Sequence, residues 1–378
     1  MIYFILLVSL LLRFGLYRFL EDENPVIVLI SSLVIILIGG FFVLFRMARI
    51  IENTTEVISK RTKIAGGLLQ AMGTAFPDMI LGIMAALSSL NALSTDPTLA
   101  VNYAIIAAAT TFGSNIYNVG FATWCIFRQN QAEKKGSPLL MFPGLKFAGK
   151  VTPIKDHAVK PTITEFNNSL SVLNSLTLLT ALVAFSMVLF GKVTNPPPGF
   201  DGDLYQLVRG MGLLIMAITL FLIFKNRKST AKASIESDAI ESTNTFEKRS
   251  SAFIWLQLAI AAIAILFTAE TMIAAIERSS SVTGLPFVVA GVAAGFIGCL
   301  GEMILVYNFT INPKGRIGDA IIGVGMDNIV TILGATIVAV MGGIFLGGNS
   351  LILIFVGIFG INSVLMLQIA KLKDSLPK

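Results

Sequence analysis

The sequence predicts an all-α, polytopic transmembrane helix bundle of about ten spans, organised as two inverted-topology repeats. Of its 378 residues 55% are hydrophobic and only 13% charged, with a mean hydropathy of +0.81; a soluble domain carries about a quarter charged residues. Apolar runs of bilayer-spanning length recur along the whole chain, leaving no room for a large soluble domain. Lys and Arg gather in alternate connections between those runs, as one face of a membrane protein requires.

The runs lie at about 2–20, 25–45, 64–91, 98–127, 172–191, 203–224, 252–275, 283–311, 317–342 and 350–370. The first is interrupted by Arg13 and Arg18 and lacks a basic leader or a small-residue cleavage site, so residues 1–24 read as a span, an interfacial helix or an uncleaved leader. Segments 46–63, 128–171, 225–250, 312–318 and the tail after 370 hold 23 of the 28 basic residues. The alternate connections, including Glu21-Asp22-Glu23 and the proline-rich 195–201, hold almost none, so both termini are expected in the cytoplasm and the plasma membrane is the expected location. The Ser/Glu/Asp-rich stretch 225–250 is the expected cytoplasmic linker between a first membrane half, 25–224, and a second, 251–378. The 128–171 connection reads as a cytoplasmic loop with a short membrane-surface piece.

The formal charge of +6 belongs to those loops and does not indicate nucleic acid. Cys125 and Cys299 both lie in apolar runs, and the single histidine, His157, lies in a polar loop, which excludes a disulfide framework, His-ligated zinc and a histidine proton relay. No phosphate-binding Gly-Lys loop and no nucleophilic triad occurs, so the chain is expected to be neither an ATP-driven pump nor an enzyme. The Asn-x-Ser/Thr matches at Asn53, Asn167 and Asn308 fall on expected cytoplasmic sides and are not read as glycosylation sites.

Acidic residues inside spans are expensive and therefore functional candidates. Asp78 sits in Gly73-Thr-Ala-Phe-Pro-Asp78-Met-Ile-Leu, and Glu302 in Ile297-Gly-Cys-Leu-Gly-Glu302-Met-Ile-Leu. Each of these helices is followed by one carrying Gly-x-x-x-x-Asn, at Gly113–Asn118 and Gly323–Asn328. The acids are 224 residues apart and the glycines 210, so a two-helix unit recurs, at 64–127 and 283–342, with a longer internal connection in the first copy. By the charge count the Asp78 helix enters from the cytoplasm and the Glu302 helix from outside, an inverted repeat of the kind that places a substrate site at the bilayer midplane.

Calcium takes six to eight oxygen ligands, and two facing acids would supply the charge it needs. Pro77 donates no helical hydrogen bond, so the Gly73 carbonyl is expected to be free one turn from Asp78 and available as a ligand. Two empty carboxylates in a low dielectric repel, so such a site takes a proton or another cation before it reorients, which is the physical basis of exchange.

Gly73-Thr-Ala-Phe-Pro-Asp78 with Gly113-Ser-Asn-Ile-Tyr-Asn118 resembles the first alpha repeat of the cation/calcium antiporter superfamily, which includes sodium/calcium exchangers. The resemblance implies a transporter in which Asp78 and Glu302 are the ion carboxylates. It also implies Thr74 as an adjacent ligand and Ser114, Asn118 and Asn328 as polar partners on the following helices. Several positions depart from the family pattern. Asp78 stands where Glu is usual, Ala75, Cys299 and Val324 replace serines, and Gly301 replaces the second proline. The second broken helix is therefore expected to be less kinked and poorer in oxygens. Asp327 neighbours Asn328, but adjacent helical positions diverge by about 100°, so one of the two is expected to face the site, with Asn328 preferred.

The expected function is exchange of a divalent cation, Ca²⁺, for Na⁺. No cofactor is expected, since the ions are substrates, and the partners are inorganic cations and the bilayer. Proton- or K⁺-coupled exchange is the alternative within the class, and the lost hydroxyls favour it. Outside the class stand an ion channel and an intramembrane aspartyl protease built on Asp78 and Asp327. The plainer roles are interhelical hydrogen-bonding for Asn118, Asn328, Ser114 and Glu270, close packing for the glycines, and capping for Asp319.

Overall fold

The computed structural model describes all residues except 63–74, 159, 198–201, 238–244, 313–316, 343 and 377–378. Its helices are α1 (Ile2–Leu11), α2 (Pro25–Leu37), α3 (Phe45–Thr62), α4 (Phe76–Ala92), α5 (Pro97–Lys135), α6 (Ile163–Phe190), α7 (Arg209–Ser237), α8 (Ser251–Thr283), α9 (Phe287–Gly298), α10 (Leu300–Ile311), α11 (Ile317–Met341) and α12 (Gly348–Asp374). Two short antiparallel ribbons accompany them, β1 (Leu139–Leu140) with β2 (Lys150–Val151) and β3 (Leu204–Gln206) with β4 (Phe345–Gly347).

Among the described residues eight helices are long and apolar enough to cross a membrane, or nine when the bent pair α9–α10 counts as one span. The expected ten therefore differ at one place, the 64–91 run, of which the structure describes the half that forms α4. Helix α1 continues through a π turn and a 3-10 turn as far as Glu21, and this segment belongs to the membrane-capable set.

Two expected loops prove to be helix. The basic 46–63 segment continues α2 through a π turn at Ile38–Leu44 into α3. Met47, Ile50, Ile51, Thr54, Val57 and Ile58 recur at helical spacing and are buried, so one face packs although mean hydropathy falls. Helix α7 likewise runs past Phe224 to Ser237, into the expected linker.

Packing fixes the relative directions of the helices. Helix α4 turns into α5 through Leu93–Asp96, where the N–H groups of Thr95 and Asp96 donate to Ala92 O, and Gly82 of α4 lies against Ala107 and Thr111. The two helices are thus antiparallel neighbours. Gly291 of α9 faces Ile106 and Ala109, and Gly295 faces Thr110 and Ser114, so α9 runs parallel to α5 and opposite to α4. A Cβ at Gly295 would stand 2.6 Å from Thr110 O, closer than any side chain permits, so the glycines are what let the backbones approach. Phe112 packs on Phe355 at 5.0 Å, and Asn130 Nδ2 donates to Gln368 O at 2.9 Å, so α12 is also parallel to α5. Ser169 Oγ donates to Gly318 O at 2.9 Å, and Val172 meets Gly325, so α6 and α11 run parallel.

These directions gather the basic segments at one end of the bundle. There Arg61, at the end of α3, donates to the carbonyls of Glu247 and Arg249 ahead of α8. At the other end β3 pairs with β4, and Lys192 bridges to Tyr205.

Candidate functional site

Helix α4 begins at Phe76 with Pro77 in its first turn, where a missing N–H costs nothing, and Asp78 follows in the same turn. Glu302 occupies the first turn of α10 in the same way. Each acid therefore stands at the N-terminus of a half-helix, where backbone N–H groups and the helix dipole favour negative charge. The second broken helix is bent near the position where Gly301 replaces the family's proline. α9 and α10 bend by 50° at Cys299, whose backbone (φ −92°, ψ 6°) leaves the helix without a proline. Gly298 lies beside the break and admits the N-terminus of α4: a Cβ there would stand 3.3 Å from Asp78 Cα and 1.8 Å from Asp78 Oδ1.

Around that contact the following helices meet. Asn118 Nδ2 on α5 lies 3.3 Å from Asp327 Oδ2 and 3.3 Å from Asn328 Oδ1 on α11. Asn118 and Asn328 are corresponding positions of the repeated motif, so the two copies touch through the same residue type. Of Asp327 and Asn328 one is expected to face the ion site; both contact Asn118. The Asn118 amide lies between them and reaches both, which the fan of its two N–H donors allows.

Asp78, Glu302, Asp327, Asn118 and Asn328 are all at most 5% exposed. The buried carboxylates of Asp78, Glu302 and Asp327 repel one another. Among the described residues, the Asp78 carboxylate has the Ser114 hydroxyl beside it, and Glu302 Oε2 and Asn118 Oδ1 are buried acceptors without a hydrogen-bond donor. Buried acceptors left so are costly unless a cation or water meets them.

Ser114, fully buried on α5, donates to Thr111 O at 3.0 Å. Gly73 and Thr74, expected as ligands, lie outside the described residues. Among the described residues no three His, Cys, Asp or Glu side chains converge closely enough to hold a metal ion by themselves. The arrangement is thus a set of separated buried carboxylates with amide and hydroxyl groups between them, in which oxygen and not sulfur is the available donor.

Sequence reasoning missed the partner of Glu270, which is Arg13, with Nη2 2.7 Å from Oε1 and Nε 3.2 Å from Oε2. The Arg13 interruption of the first apolar run is thereby neutralised by α8, and Ser9 Oγ donates to Ala264 O at 2.8 Å one turn away. Asp319, expected in a surface or capping role, is buried.

No family model matches the sequence, and no curated protein matches it. Solved structures do match along nearly the whole chain. YfkE is 13% identical, with a TM-score of 0.55 over 99% of this chain and 97% of that one. The H⁺/Ca²⁺ exchanger CAX is 14% identical, with a TM-score of 0.52 over 98% of this chain and 80% of that one. The sodium-calcium exchanger NCX_Mj is 16% identical, with a TM-score of 0.47 over 90% of each chain. At such identities the likeness is one of fold. The chain shares the polytopic helical fold of YfkE and CAX.

Proposed function

We propose that the chain is a secondary active antiporter that exchanges a divalent cation, Ca²⁺, for Na⁺, with Asp78 and Glu302 as the charged ligands. The observation that carries this reading is the meeting of two acid-bearing half-helix N-termini, Asp78 against the break at Gly298 and Glu302 one turn beyond it, beside the Asn118–Asp327–Asn328 contact. The opposed directions of α4 and α9 support an inverted pair of repeats with the site between them. A filled site neutralises the buried carboxylates and lets the surrounding helices move; an empty one holds them against reorientation.

Asn118, Asp327 and Asn328 serve in this reading as the bridge between repeats, with Asn118 Oδ1 and Ser114 as neutral oxygens near the ion. Gly73 O and Thr74 complete the set on the first repeat.

Proton coupling is the second reading. It is favoured by the cluster of Asp78, Glu302 and Asp327, more negative charge than one divalent ion needs, and by the fold shared with an H⁺/Ca²⁺ exchanger. The deciding experiment is ⁴⁵Ca²⁺ uptake by proteoliposomes under an imposed sodium gradient, or under a pH gradient without sodium. Asp78→Asn and Glu302→Gln serve as controls. Uptake that needs sodium and vanishes in both variants supports the first reading, and uptake that needs only the pH gradient supports the second. Absence of uptake under both overturns both, and peptide cleavage lost in Asp78→Asn and Asp327→Asn would then identify a protease.

A further inference from the structure

We propose that the β1–β2 hairpin between α5 and α6 is a membrane-surface anchor that binds an anionic leaflet, with Leu145 and Phe147 entering the acyl boundary and Lys146 and Lys150 meeting the headgroups. The hairpin is rigid at its root and bare at its tip. At the root, Phe142 stacks between Trp124 of α5, at 6.2 Å, and Tyr307 of α10, at 6.5 Å. Tyr307 OH donates to Ala148 O at 2.8 Å, Arg128 donates to Leu140 O, and Met141 and Val151 are fully buried. At the tip, Phe147 is 87% exposed and Leu145 44%, and Pro143 through Phe147 are all exposed.

Its position says what covers the tip. The hairpin leaves the end of α5, a membrane-capable helix, on the side where the basic segments gather. Both tryptophans of the chain lie at this end, Trp124 near the end of α5 and Trp255 in the first turns of α8. Trp255 is exposed outward, as in the aromatic belt that marks a membrane–water boundary. The connection that carries the tip is basic, with Lys146 and Lys150 on the hairpin itself. Lys134, Lys135, Lys146, Lys150, Lys155 and Lys160 are exposed, against Asp156 as the exposed acid among the described residues of that stretch. Apolar side chains flanked by lysines at headgroup level are the combination that holds a segment to an anionic bilayer; either alone binds weakly. The tip is tied to α10 through Tyr307 and through Ile311, which packs on Gly149, so lipid at the tip bears on the helix that carries Glu302.

The test uses the full chain in nanodiscs of phosphatidylcholine, with or without phosphatidylserine, and an environment-sensitive fluorophore on Leu145→Cys. The label is attached in a Cys299→Ser background, with Cys125 buried, so it goes to the tip. The expected result is quenching by brominated lipid and protection from iodide in the anionic discs. Each of Lys146→Gln and Lys150→Gln is expected to lower the ratio of lipid-quenched to iodide-quenched label about fivefold, the worth of one headgroup contact. Phe147→Ser is expected to abolish lipid quenching, while the fluorescence of Trp124 at the root reports an intact hairpin. A label equally open to iodide in both compositions overturns the anchor and leaves the patch to a protein partner. Equal lipid quenching with and without phosphatidylserine overturns the anionic specificity.

Discussion

The Asp78 carboxylate occupies the space that a side chain at position 298 would need, since a Cβ there would stand 1.8 Å from Asp78 Oδ1. The acid of one motif is thus seated on the helix break of the other, and the two half-helices cannot move independently at this point.

Gly298→Ala is expected to drive the Asp78 carboxylate away while leaving most packing intact, because the atom in the way ends a short side chain. Overpacking of this kind costs about 1–3 kcal/mol. Thermal unfolding should show a modest loss of stability, whereas stabilisation by added Ca²⁺ should disappear. Retained Ca²⁺ stabilisation would show that Asp78 does not hold the ion.

Asn118→Ala removes the amide that both Asp327 and Asn328 share, leaving buried acceptors without that donor at a cost of about 1–3 kcal/mol. Asn118→Asp instead places another carboxylate against Asp327. This variant should be less stable than the native chain in chelator and recover when Ca²⁺ is added, a cation dependence that Asn118→Ala should lack. Unfolding curves with and without chelator read the difference.

Arg13 and Glu270 join α1 to α8 within membrane-capable segments, where a charge left alone is costly. Arg13→Leu and Glu270→Leu are each expected to destabilise the chain. The double replacement should recover part of the loss, with a coupling energy of about 1–3 kcal/mol. Additive effects in a double-mutant cycle in detergent or nanodiscs would mean that the pair does not hold α1.

Cys299 stands at the bend between α9 and α10, beside Gly298, and Cys125 is buried in α5. If the empty site is open to water, a thiol reagent in the aqueous phase should label Cys299 in the absence of Ca²⁺ and far more slowly when the ion occupies the site. Cys125 should stay unlabelled in both and serve as the internal control. Equal labelling of Cys299 with and without Ca²⁺ would dissociate the bend from ion binding.

Much of this was legible in one dimension, and for physical reasons. Excluding water from the bilayer forces long apolar helices, so hydropathy alone located most of the spans. Electrostatic cost makes a buried acid conspicuous, so Asp78 and Glu302 stood out, and the repeated Met-Ile-Leu and Gly-x-x-x-x-Asn spacing linked them. The helical 46–63 segment was hidden because one charged face lowers its mean hydropathy, although the buried face keeps helical spacing. The break at Cys299 was harder to read because no proline marks it; its local signal is the pair of glycines, Gly298 and Gly301, that flank it.

The sequence by itself determined the helical membrane architecture, the basic end of the bundle and the identity of the two acids, because each follows from composition or from a local pattern against a solvent that punishes polarity. Only the tertiary structure decided that Asp78 sits on Gly298, that Asn118 reaches both Asp327 and Asn328, and that Arg13 is answered by Glu270. Those partners lie two hundred residues or more apart. Their meeting depends on how glycine-lined helices close on one another, which no local spacing encodes.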